Sequence, residues 1–505
     1  MSILGISAGF HDAAATVISS QGDVLFAGHA ERYSKIKHDP NLNSALIADA
    51  ISHGHPDQIA YYERPWAKKT RQLYAGQYSE LFEGWSVRNM LYKVAPQLET
   101  RFPGGTPIGE NLIPINTYNH HKCHAAAGFQ TSPFDHATVV IVDAIGEWDT
   151  ISIWDARYTS TGQAEYVRLW RQIYPHSLGL FYSAMTQRAG LHPLNEEYIL
   201  MGMAAYANAQ SDMYDDFVED PVALTFKENL HVGCDDYSPA STDFEIAASA
   251  QFTLEKCLHQ IMLRACNLGK SENLVYMGGV ALNCLANRQL GCYFEDVWIM
   301  PCPGDAGSSL GAAALAYGKR LNWQGPNLGT NIPGKYPVTG LLDELLTNKI
   351  VGVASGRTEF GPRALGNRSL LADPRGFEIK DQVNEIKQRQ QFRPFAPVIL
   401  EEYVHHYFDM PNGFNTSPYM QTVAGCKYPD NFPAITHHDY TSRVQTVSKN
   451  CVWGVGIRKL LEDWFVMTGC PMLLNTSLNI RGEPMVNDRA DADRFEQLYG
   501  IKVIS

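Results

Sequence analysis

The sequence predicts an α/β protein with more than one domain. Short apolar runs that end at Gly or Asp, as expected for buried strands, occur along the chain together with longer stretches that favour helices. The chain has 505 residues, which exceeds the usual size of a single domain. Apolar residues make up 45% of the chain, so each domain can bury a full hydrophobic core.

The first predicted element is a strand, a tight turn and a second strand within residues 3–19, with the turn at residues 9–12. The same pattern returns within residues 137–154, where a nearly continuous apolar run is followed by a turn at residues 146–149. We interpret this recurrence as an approximate internal duplication.

A change of pattern marks the last third of the chain. Residues 322–336 are rich in Pro, Gly and Asn and are predicted to form a linker. A new α/β segment begins with an apolar strand at residues 350–353. We therefore expect a domain boundary near residue 345, with one domain over residues 1–345 and another over residues 346–505.

Composition excludes several classes of protein. The net charge of −12 argues against broad, non-specific binding to nucleic acid, which depends on neutralising phosphates. The 10 cysteines are scattered without a C-x-x-C pair, which argues against a zinc ribbon or a thioredoxin motif. The N-terminus lacks a basic, apolar leader, and no apolar run reaches about 18 residues. We expect a cytoplasmic protein with reduced thiols and no membrane segment.

Two histidines form the first candidate site. His120 and His124 lie four residues apart, so on a helix both side chains point to one face, as two ligands of one metal would. Asp143 ends a predicted strand, where open sheets place binding groups. Two histidines and a carboxylate favour Fe²⁺, with Zn²⁺ or Mn²⁺ as alternatives. The other interpretation is a pair of ordinary helical histidines.

Glycine-rich segments form the second candidate site. Residues 273–277 favour a strand that runs into Gly278 and Gly279, and residues 304–311 surround Asp305 with small residues. Glycines let backbone N–H groups approach a phosphate, and an aspartate among them can hold a cation. The alternative is a helix N-terminus that Asp305 caps.

His11 and Asp12 on the first turn form the third candidate site. A histidine beside a carboxylate can act as a general base, because the carboxylate fixes the tautomer of the ring. The alternative is a capping aspartate with a histidine beside it by chance.

Arginines in the last third form the fourth candidate site. Arg363, Arg393, Arg443 and Arg481 each lie among Gly, Pro, Asn or Ser, residues that mark loops. Arginines in loops suit bidentate binding of phosphate and carboxylate. The alternative is structural pairing with aspartate, as expected for Arg375.

Taken together, these strings resemble the carbamoyltransferase family that includes nodulation protein U and the antibiotic O-carbamoyltransferases. Matches occur in the family order over nearly the whole chain, and the string at residues 359–374 is the most specific of them. They lie at residues 5–12, 31–33, 37–39, 120–124, 143–149, 278–283 and 304–311 and in the four arginine strings.

The resemblance implies a fold and a reaction. The first domain resembles the duplicated sugar-kinase/actin-like fold, and the second resembles a YrdC-like α/β domain. The YrdC-like domain would form carbamoyl-adenylate from carbamoyl phosphate and ATP, which binds with Mg²⁺, and would release pyrophosphate. The first domain would then transfer the carbamoyl group to an acceptor.

The resemblance also implies roles for single residues. His11, next to Asp12, would take the proton of the acceptor. A divalent metal would be held by His120, His124, Asp143 and Asp305. The residues expected to bind nucleotide or carbamoyl phosphate are Lys37, Gly278, Gly279, Asn283, Arg363, Arg393, Arg443, Asn475, Ser477 and Arg481.

Some points stay open at this stage. An actin-like sugar kinase and a non-catalytic nucleotide-binding scaffold are the rival functions. The acceptor is expected to be a small molecule, a sugar or a hydroxymethylated nucleobase. The sequence leaves open whether an oxygen or a nitrogen of the acceptor is carbamoylated. It also leaves open whether the protein forms a homodimer. Basic and aromatic residues at 64–93 admit a nucleic-acid acceptor, but an amphipathic helix is the favoured interpretation. Ile199 stands at a position where many members of the family have Lys. The sequence ends at Ser505, earlier than in many of these relatives.

Overall fold

A computed structural model describes residues 2–78, 87–96, 98, 100–101, 112–210, 212–393 and 395–505. It is an α/β protein, as predicted, and the chain forms two compact units. The first unit comprises Met1–Leu180, Arg264–Leu282 and Val297–Gln324, and the second comprises Phe181–Leu263, Asn283–Asp296 and Gly325–Ser505.

The strands of both units are, in chain order, Ser2–Ser7 (β1), Ala14–Ser19 (β2), Val24–His29 (β3), Gln58–Tyr61 (β4), Thr100–Arg101 (β5), Ile113–Thr117 (β6), His136–Gly146 (β7), Asp149–Tyr158 (β8), Ala164–Ile173 (β9), Val218–Asp220 (β10), Thr225–Phe226 (β11), Asn273–Met277 (β12), Asp296–Trp298 (β13), Asn327–Ile332 (β14), Ile350–Ala354 (β15), Gly356–Glu359 (β16), Arg368–Ala372 (β17), Ala396–Leu400 (β18), Phe408–Asp409 (β19), Val423–Cys426 (β20), Thr441–Arg443 (β21), Gln445–Val447 (β22), Met472–Ser477 (β23) and Val503–Ile504 (β24).

The α-helices are Glu31–Ser34 (α1), Ser44–Ser52 (α2), Pro65–Tyr74 (α3), Val87–Val94 (α4), His120–Thr131 (α5), Leu178–Arg188 (α6), Glu197–Met203 (α7), Asp212–Phe217 (α8), Asp243–Leu268 (α9), Cys284–Asn287 (α10), Gly307–Tyr317 (α11), Val338–Asn348 (α12), Phe377–Lys387 (α13), Val404–Tyr407 (α14), Val455–Thr468 (α15) and Arg489–Tyr499 (α16). Short 3₁₀ helices are formed by Ala204–Tyr206, Leu230–Val232, Gly279–Leu282, Leu290–Cys292 and Glu401–Tyr403.

The first unit contains two sheets that share one topology over four of their strands. In one, β1, β2 and β3 form an antiparallel meander and β4 lies parallel to β1, in the order β3-β2-β1-β4-β6-β5. In the other, β7, β8 and β9 form the meander and β12 lies parallel to β7, in the order β13-β12-β7-β8-β9. This repetition confirms the predicted duplication and agrees with the actin-like fold that the resemblance implied.

The two copies exchange their last helices. Helix α5 follows the last strand of the first copy but packs on β7 and β12 of the second. Helix α11 follows the last strand of the second copy but packs on β1 and β2 of the first. Glycine permits the close contact, because a Cβ at Gly5 would lie 2.0 Å from the carbonyl oxygen of Ser309. Each copy therefore completes its layer with a helix of the other.

The second unit is built on a mixed sheet of six strands. Its order is β22-β18-β23-β17-β15-β24, with antiparallel pairs in the centre and parallel pairs at both edges. Fully buried side chains of strands and helices, including Val353, Leu371, Leu460, Trp464 and Phe495, form its core. This sheet carries most of the arginine strings that the sequence singled out.

Two sequence predictions need correction or remain untested. The predicted linker at residues 322–336 is wrong in part, because strand β14 within it pairs with β16. The proposed boundary near residue 345 falls inside helix α12 and stays a prediction about the division of function. The segment at residues 64–93 forms helices α3 and α4, whereas its Trp85 lies outside the described residues. In the part of the chain that the structure describes, no helix is both long and apolar enough to cross a membrane.

Candidate functional site

Helix α5 presents the two predicted histidines on one buried face. Asn119 caps its N-terminus, because its side-chain oxygen accepts the backbone N–H of Lys122 at 3.0 Å. His120 and His124 are almost completely buried, and their Nε2 atoms lie 3.1 Å apart. Two imidazole nitrogens this close, in a buried place, indicate a common ligand between them.

Two aspartates complete this cluster. Oδ2 of Asp143 lies 3.2 Å from Nε2 of His120 and 3.5 Å from Nε2 of His124. Oδ1 of Asp305 lies 3.3 Å from both nitrogens. The four ligand atoms all fall within 4.8 Å of one another. The four residues that the resemblance named as metal ligands are thus brought together in the first unit.

Neighbouring groups orient these ligands. The N–H of Gly279 donates to Oδ1 of Asp143 at 3.2 Å, which leaves Oδ2 directed at the histidines. Nδ1 of His124 lies 3.1 Å from the carbonyl oxygen of Pro303, so Nδ1 carries the proton and Nε2 offers its lone pair. Metal-binding histidines are commonly held in this way.

Glu147 supports the same helix and was missed by the sequence analysis. Its buried carboxylate accepts the backbone N–H of His120 at 3.3 Å, the side-chain amide of Asn119 at 3.0 Å and the backbone N–H of Arg64 at 2.9 Å. A negative charge at a helix N-terminus is favourable. Glu147 therefore fixes the end of α5 that carries His120 and His124.

The charges of the cluster fit a divalent cation. Although burial opposes the charged imidazole, the carboxylates of Asp305 and Asp143 raise the pKa of His120 well above its usual value. The same two carboxylates raise the pKa of His124 against the same burial. Two carboxylates and two imidazoles that converge in a buried place match the N and O donors of a transition-metal site. A divalent metal ion would satisfy both imidazole lone pairs and both negative charges.

The first turn brings a further pair of imidazoles to one carboxylate. Nδ1 of His11 lies 3.2 Å from Oδ2 of Asp12, and His38 faces the other oxygen of the same carboxylate. Removal from bulk water lowers the pKa of His11, but the charge of Asp12 outweighs it and raises that pKa to about 9. Both Asp12 and His38 adopt left-handed backbone, with φ of 54°. The contact with His38 was not foreseen from the sequence.

The remaining predicted residues of the first unit are placed as follows. Lys37 is half-buried on the segment that leads to His38. Gly278 has a φ of +95°, and a Cβ there would lie 2.3 Å from the carbonyl oxygen of Val142, so only glycine fits this turn. The turn delivers the N–H of Gly279 to Asp143. Both glycines therefore shape the surroundings of Asp143 in this structure.

Arginines converge in the second unit. Burial and the neighbouring cation of Arg443 lower the pKa of Arg363 to about 9, and Arg393 acts in the same direction. Burial, Arg393 and Arg443 likewise hold the pKa of Arg389 well below its usual range. Among the described residues, Arg363, Arg393 and Arg443 form no ion pair with a carboxylate, and Nε of Arg443 is buried without a hydrogen-bond partner. Arg389 was not predicted.

The loop that carries Arg363 is held by buried groups. One oxygen of Glu359 accepts the backbone N–H groups of Leu365 at 2.8 Å and Asn367 at 2.9 Å. The guanidinium of Arg368 is buried and donates to backbone carbonyls, among them that of Ser355 at 3.0 Å. These contacts fix the loop in spite of the repulsion between the arginines that it brings together.

Three other predicted residues of the second unit take part in protein contacts. Asn283 caps helix α10 and exchanges hydrogen bonds of 2.9 and 3.1 Å with Gln251. Oγ of Ser477 contacts Oδ1 of Asn479 at 2.7 Å. Arg481 is exposed, and its backbone N–H donates to Tyr499. The structure does not place Arg481 with the arginine cluster.

The duplicated fold and the two clusters of charged side chains mark the chain as an α/β enzyme. The particular family follows from comparison with known proteins. The chain belongs to the carbamoyltransferase family: the family model of the carbamoyltransferase N-terminus matches residues 2–314, and that of the carbamoyltransferase C-terminus matches residues 342–504. The protein is a carbamoyltransferase, as the resemblance predicted.

Relatives from bacteria cover nearly the whole chain. Uncharacterized protein sll1178 of Synechocystis is 33% identical over 97% of this chain and 93% of its own length. Nodulation protein NolNO of Sinorhizobium fredii is 29% identical over 95% of this chain and 76% of its own length. Nodulation protein U of Rhizobium fredii is 28% identical over 94% of this chain and 89% of its own length.

Proposed function

We propose that this carbamoyltransferase works in two steps. In the second unit, carbamoyl phosphate and ATP give carbamoyl-adenylate. In the first unit, the carbamoyl group passes to an acceptor hydroxyl or amine, and AMP leaves. The observation that supports this proposal most is the cluster of Arg363, Arg393 and Arg443, whose guanidinium groups form no ion pair with a carboxylate of the described residues.

Electrostatics explains why such a cluster suits the first step. Like charges that converge without a counter-charge are unfavourable, so the cluster is built for an anion that arrives from solution. Carbamoyl phosphate and ATP are both polyanions and repel each other. Three guanidinium groups offset that repulsion and hold the reacting oxygens in position through bidentate hydrogen bonds.

The atoms of the first step balance with one water molecule. Water cleaves carbamoyl phosphate into carbamate and orthophosphate. An oxygen of carbamate then attacks the α-phosphorus of ATP, and pyrophosphate leaves with Mg²⁺. Each ATP therefore yields one pyrophosphate and one carbamoyl-adenylate, in which AMP is a good leaving group for the second step.

Residues of the first unit carry the second step. Nε2 of His11 takes the proton of the acceptor, while the carboxylate of Asp12, 3.2 Å from Nδ1, stabilises the charged ring that results. Lys37 contacts the phosphate of the adenylate. His120, His124, Asp143 and Asp305 would hold a divalent metal, Fe²⁺ first and Zn²⁺ or Mn²⁺ as alternatives. When bound there, such an ion supplies a Lewis acid that polarises phosphoryl or carbonyl oxygens.

The acceptor is proposed only as a class. A hydroxyl on a small molecule or a sugar fits a general base better than an amine does, because an alcohol needs help with deprotonation as it attacks. The net charge of −12 disfavours a nucleic-acid acceptor.

A single assay separates this proposal from its rivals. The protein is incubated with Mg²⁺, ATP and carbamoyl phosphate, and the nucleotide and phosphate products are separated. Pyrophosphate that appears only with carbamoyl phosphate supports the proposal. In a parallel reaction with a sugar, formation of ADP would indicate an actin-like kinase. Unchanged ATP under all conditions would indicate a nucleotide-binding scaffold.

A further inference from the structure

The carboxylate of Asp12 is contacted by a second imidazole, from a residue 26 positions further along the chain. Nδ1 of His38 lies 2.6 Å from Oδ1 of Asp12. Because an ionised carboxylate can only accept, the proton of this hydrogen bond belongs to His38. A hydrogen bond to a charged acceptor is shorter and stronger than one between neutral groups. His38 therefore holds one oxygen of this carboxylate.

The other oxygen of this carboxylate faces His11. Oδ2 of Asp12 lies 3.2 Å from Nδ1 of His11. This contact is electrostatic, because Nδ1 of His11 is buried and, among the described residues, has no hydrogen-bond partner. An electrostatic contact alone leaves the carboxylate able to rotate, whereas a hydrogen bond is directional. The bond with His38 therefore sets the direction in which Oδ2 points.

Backbone contacts hold the segment of His38 without the help of its imidazole. The backbone N–H of His38 donates to Oε2 of Glu31 at 3.1 Å. The N–H of Gly9 in the first turn donates to the carbonyl oxygen of Pro40 at 2.8 Å. Loss of the imidazole should therefore leave the segment and the turn in place and change the orientation of the carboxylate alone.

We propose that His38 is a positioning residue for carbamoyl transfer, because it keeps the carboxylate of Asp12 turned towards His11. This inference rests on the proposed function, in which His11 takes the proton of the acceptor. The ring of His11 becomes positively charged at that moment, and a carboxylate that faces the ring stabilises this charge. The side chain of Asp12 is 24% exposed, so without His38 its oxygens would turn towards water and the stabilisation would weaken.

The surroundings of the two rings distinguish the base from the positioning residue. Burial lowers the pKa of each ring, and the shared carboxylate raises it. The next carboxylates that raise the pKa are those of Asp305 and Asp143 for His11, and that of Glu31 for His38. His11 is thus the ring that lies towards the proposed metal ligands, where the activated carbamoyl group is expected.

Two substitutions of His38 isolate the contribution of its hydrogen bond. The φ of His38 is 54°, a left-handed conformation that Gly and Asn adopt readily. His38→Gly removes the donor without backbone strain and should lower kcat of transfer by about 10- to 100-fold, the cost of a misplaced catalytic group. His38→Asn keeps an N–H donor at the position of Nδ1 and should restore most of kcat. KM for the acceptor should stay unchanged in both variants, since His38 does not contact the acceptor.

The test is a double-mutant cycle on carbamoyl transfer in the full-length protein. Glycerol, methyl glucoside and hydroxymethylcytidine serve as acceptor probes, and mass spectrometry follows the probe that wild-type protein carbamoylates. Pyrophosphate release in the same reactions measures the amount of active protein. Asp12→Asn should slow transfer at least as much as His38→Gly does. Adding His38→Gly to Asp12→Asn should change the rate by less than about 2-fold, because His38 acts through this carboxylate.

His53→Asn is the matched control for loss of a partly exposed imidazole. His53 also faces a carboxylate, that of Asp49 at 3.5 Å. Its side chain is 32% exposed, against 35% for His38, so the two substitutions disturb the surface to a similar extent. Transfer and pyrophosphate release should both stay as in wild type.

The outcomes separate this inference from the function on which it rests. If wild-type protein releases no pyrophosphate with carbamoyl phosphate, the proposed first step fails. If it releases pyrophosphate but carbamoylates none of the three probes, the proposed second step fails. If transfer occurs and His38→Gly keeps the wild-type kcat, or if the effects of the two substitutions multiply, the proposed function stands and the role of His38 is overturned. His38→Asn that transfers as slowly as His38→Gly would overturn it as well.

Discussion

Nδ1 of His38 lies 2.6 Å from Oδ1 of Asp12, so one carboxylate faces two imidazoles. Two backbone hydrogen bonds tie the segments together on either side, from Gly9 to Pro40 at 2.8 Å and from Ala13 to Asp39 at 2.9 Å. These contacts connect the first turn to the segment that carries His38.

His11→Asn should separate the two steps of the reaction. We expect pyrophosphate release at the wild-type rate and transfer that is slower by about 10²- to 10⁴-fold, because a general base is lost. Asparagine is polar and of similar size, so the turn should keep its fold. Both steps are followed in one reaction with a saturating hydroxyl acceptor. Transfer at an unchanged rate would reduce His11 to a turn residue.

The pKa of His11 can be measured without any substrate. At about 9 it lies above the ordinary value of 6.5, so the imidazole of the metal-free protein should stay charged through neutral pH. A base must be neutral, so transfer that depends on His11 should increase as the pH rises from 7 towards 9. An NMR titration of the ring nitrogens follows the same group, and Asp12→Asn should move its midpoint down. A midpoint that does not move would show that Asp12 does not control His11.

Substitution of a histidine in the proposed metal site should remove both bound metal and carbamoyl transfer. His120→Ala and His124→Ala should each lower the bound metal, measured by elemental analysis of purified protein, from about one ion per chain to a small fraction of that. Pyrophosphate release should persist, because the arginine cluster belongs to the other compact unit. His136→Ala is the matched control, since His136 pairs with Asp155 outside the cluster. Equal loss of both steps in a folded variant would contradict this division.

Substitution of an arginine in the cluster should slow the first step of the proposed reaction, the formation of carbamoyl-adenylate. Arg363→Ala and Arg393→Ala should each slow pyrophosphate release by about 10- to 100-fold, the effect of losing a charge-assisted bond worth about 1.5–3 kcal/mol. Arg375→Ala serves as the control, because Arg375 already pairs with Asp373 at 2.8 Å. Near-normal rates in both cluster variants would assign these arginines to structure.

His29 predicts how the protein responds to acid. It is 6% exposed, and burial together with the cation of Arg32 lowers its pKa to about 4. The unfolded chain binds a proton near pH 6.5 and the folded one only near pH 4, so stability is lost as the pH falls between these values. Protonation of His29 lowers the free energy of unfolding by about 3 kcal/mol at most. Urea unfolding at pH 7 and pH 4.5 measures it, and His29→Asn should lose less stability over that interval.

Local patterns were predicted well because their geometry is contained in a few neighbouring residues. The spacing of His120 and His124 determines that they share one face of a helix. The apolar run before Asp143 favours a strand whatever its tertiary contacts are. Contacts between distant segments were not accessible in this way. The pairing of Asp12 with His38, the support of α5 by Glu147 and the presence of Arg389 in the cluster each depend on tertiary structure. Strand β14 was mistaken for a linker because its partner β16 lies further along the chain and β14 contains few apolar residues.

The exchange of helices between the two copies of the duplicated fold has a consequence for assembly. The two histidines belong to the first copy and the two aspartates to the second, so each copy holds half of the ligands. A chain cut between α5 and β7 would yield fragments that each expose the face covered by the helix of the other. Neither fragment would contain all four of the proposed metal ligands. A metal bound as proposed would therefore be retained only when both copies have folded and packed against each other.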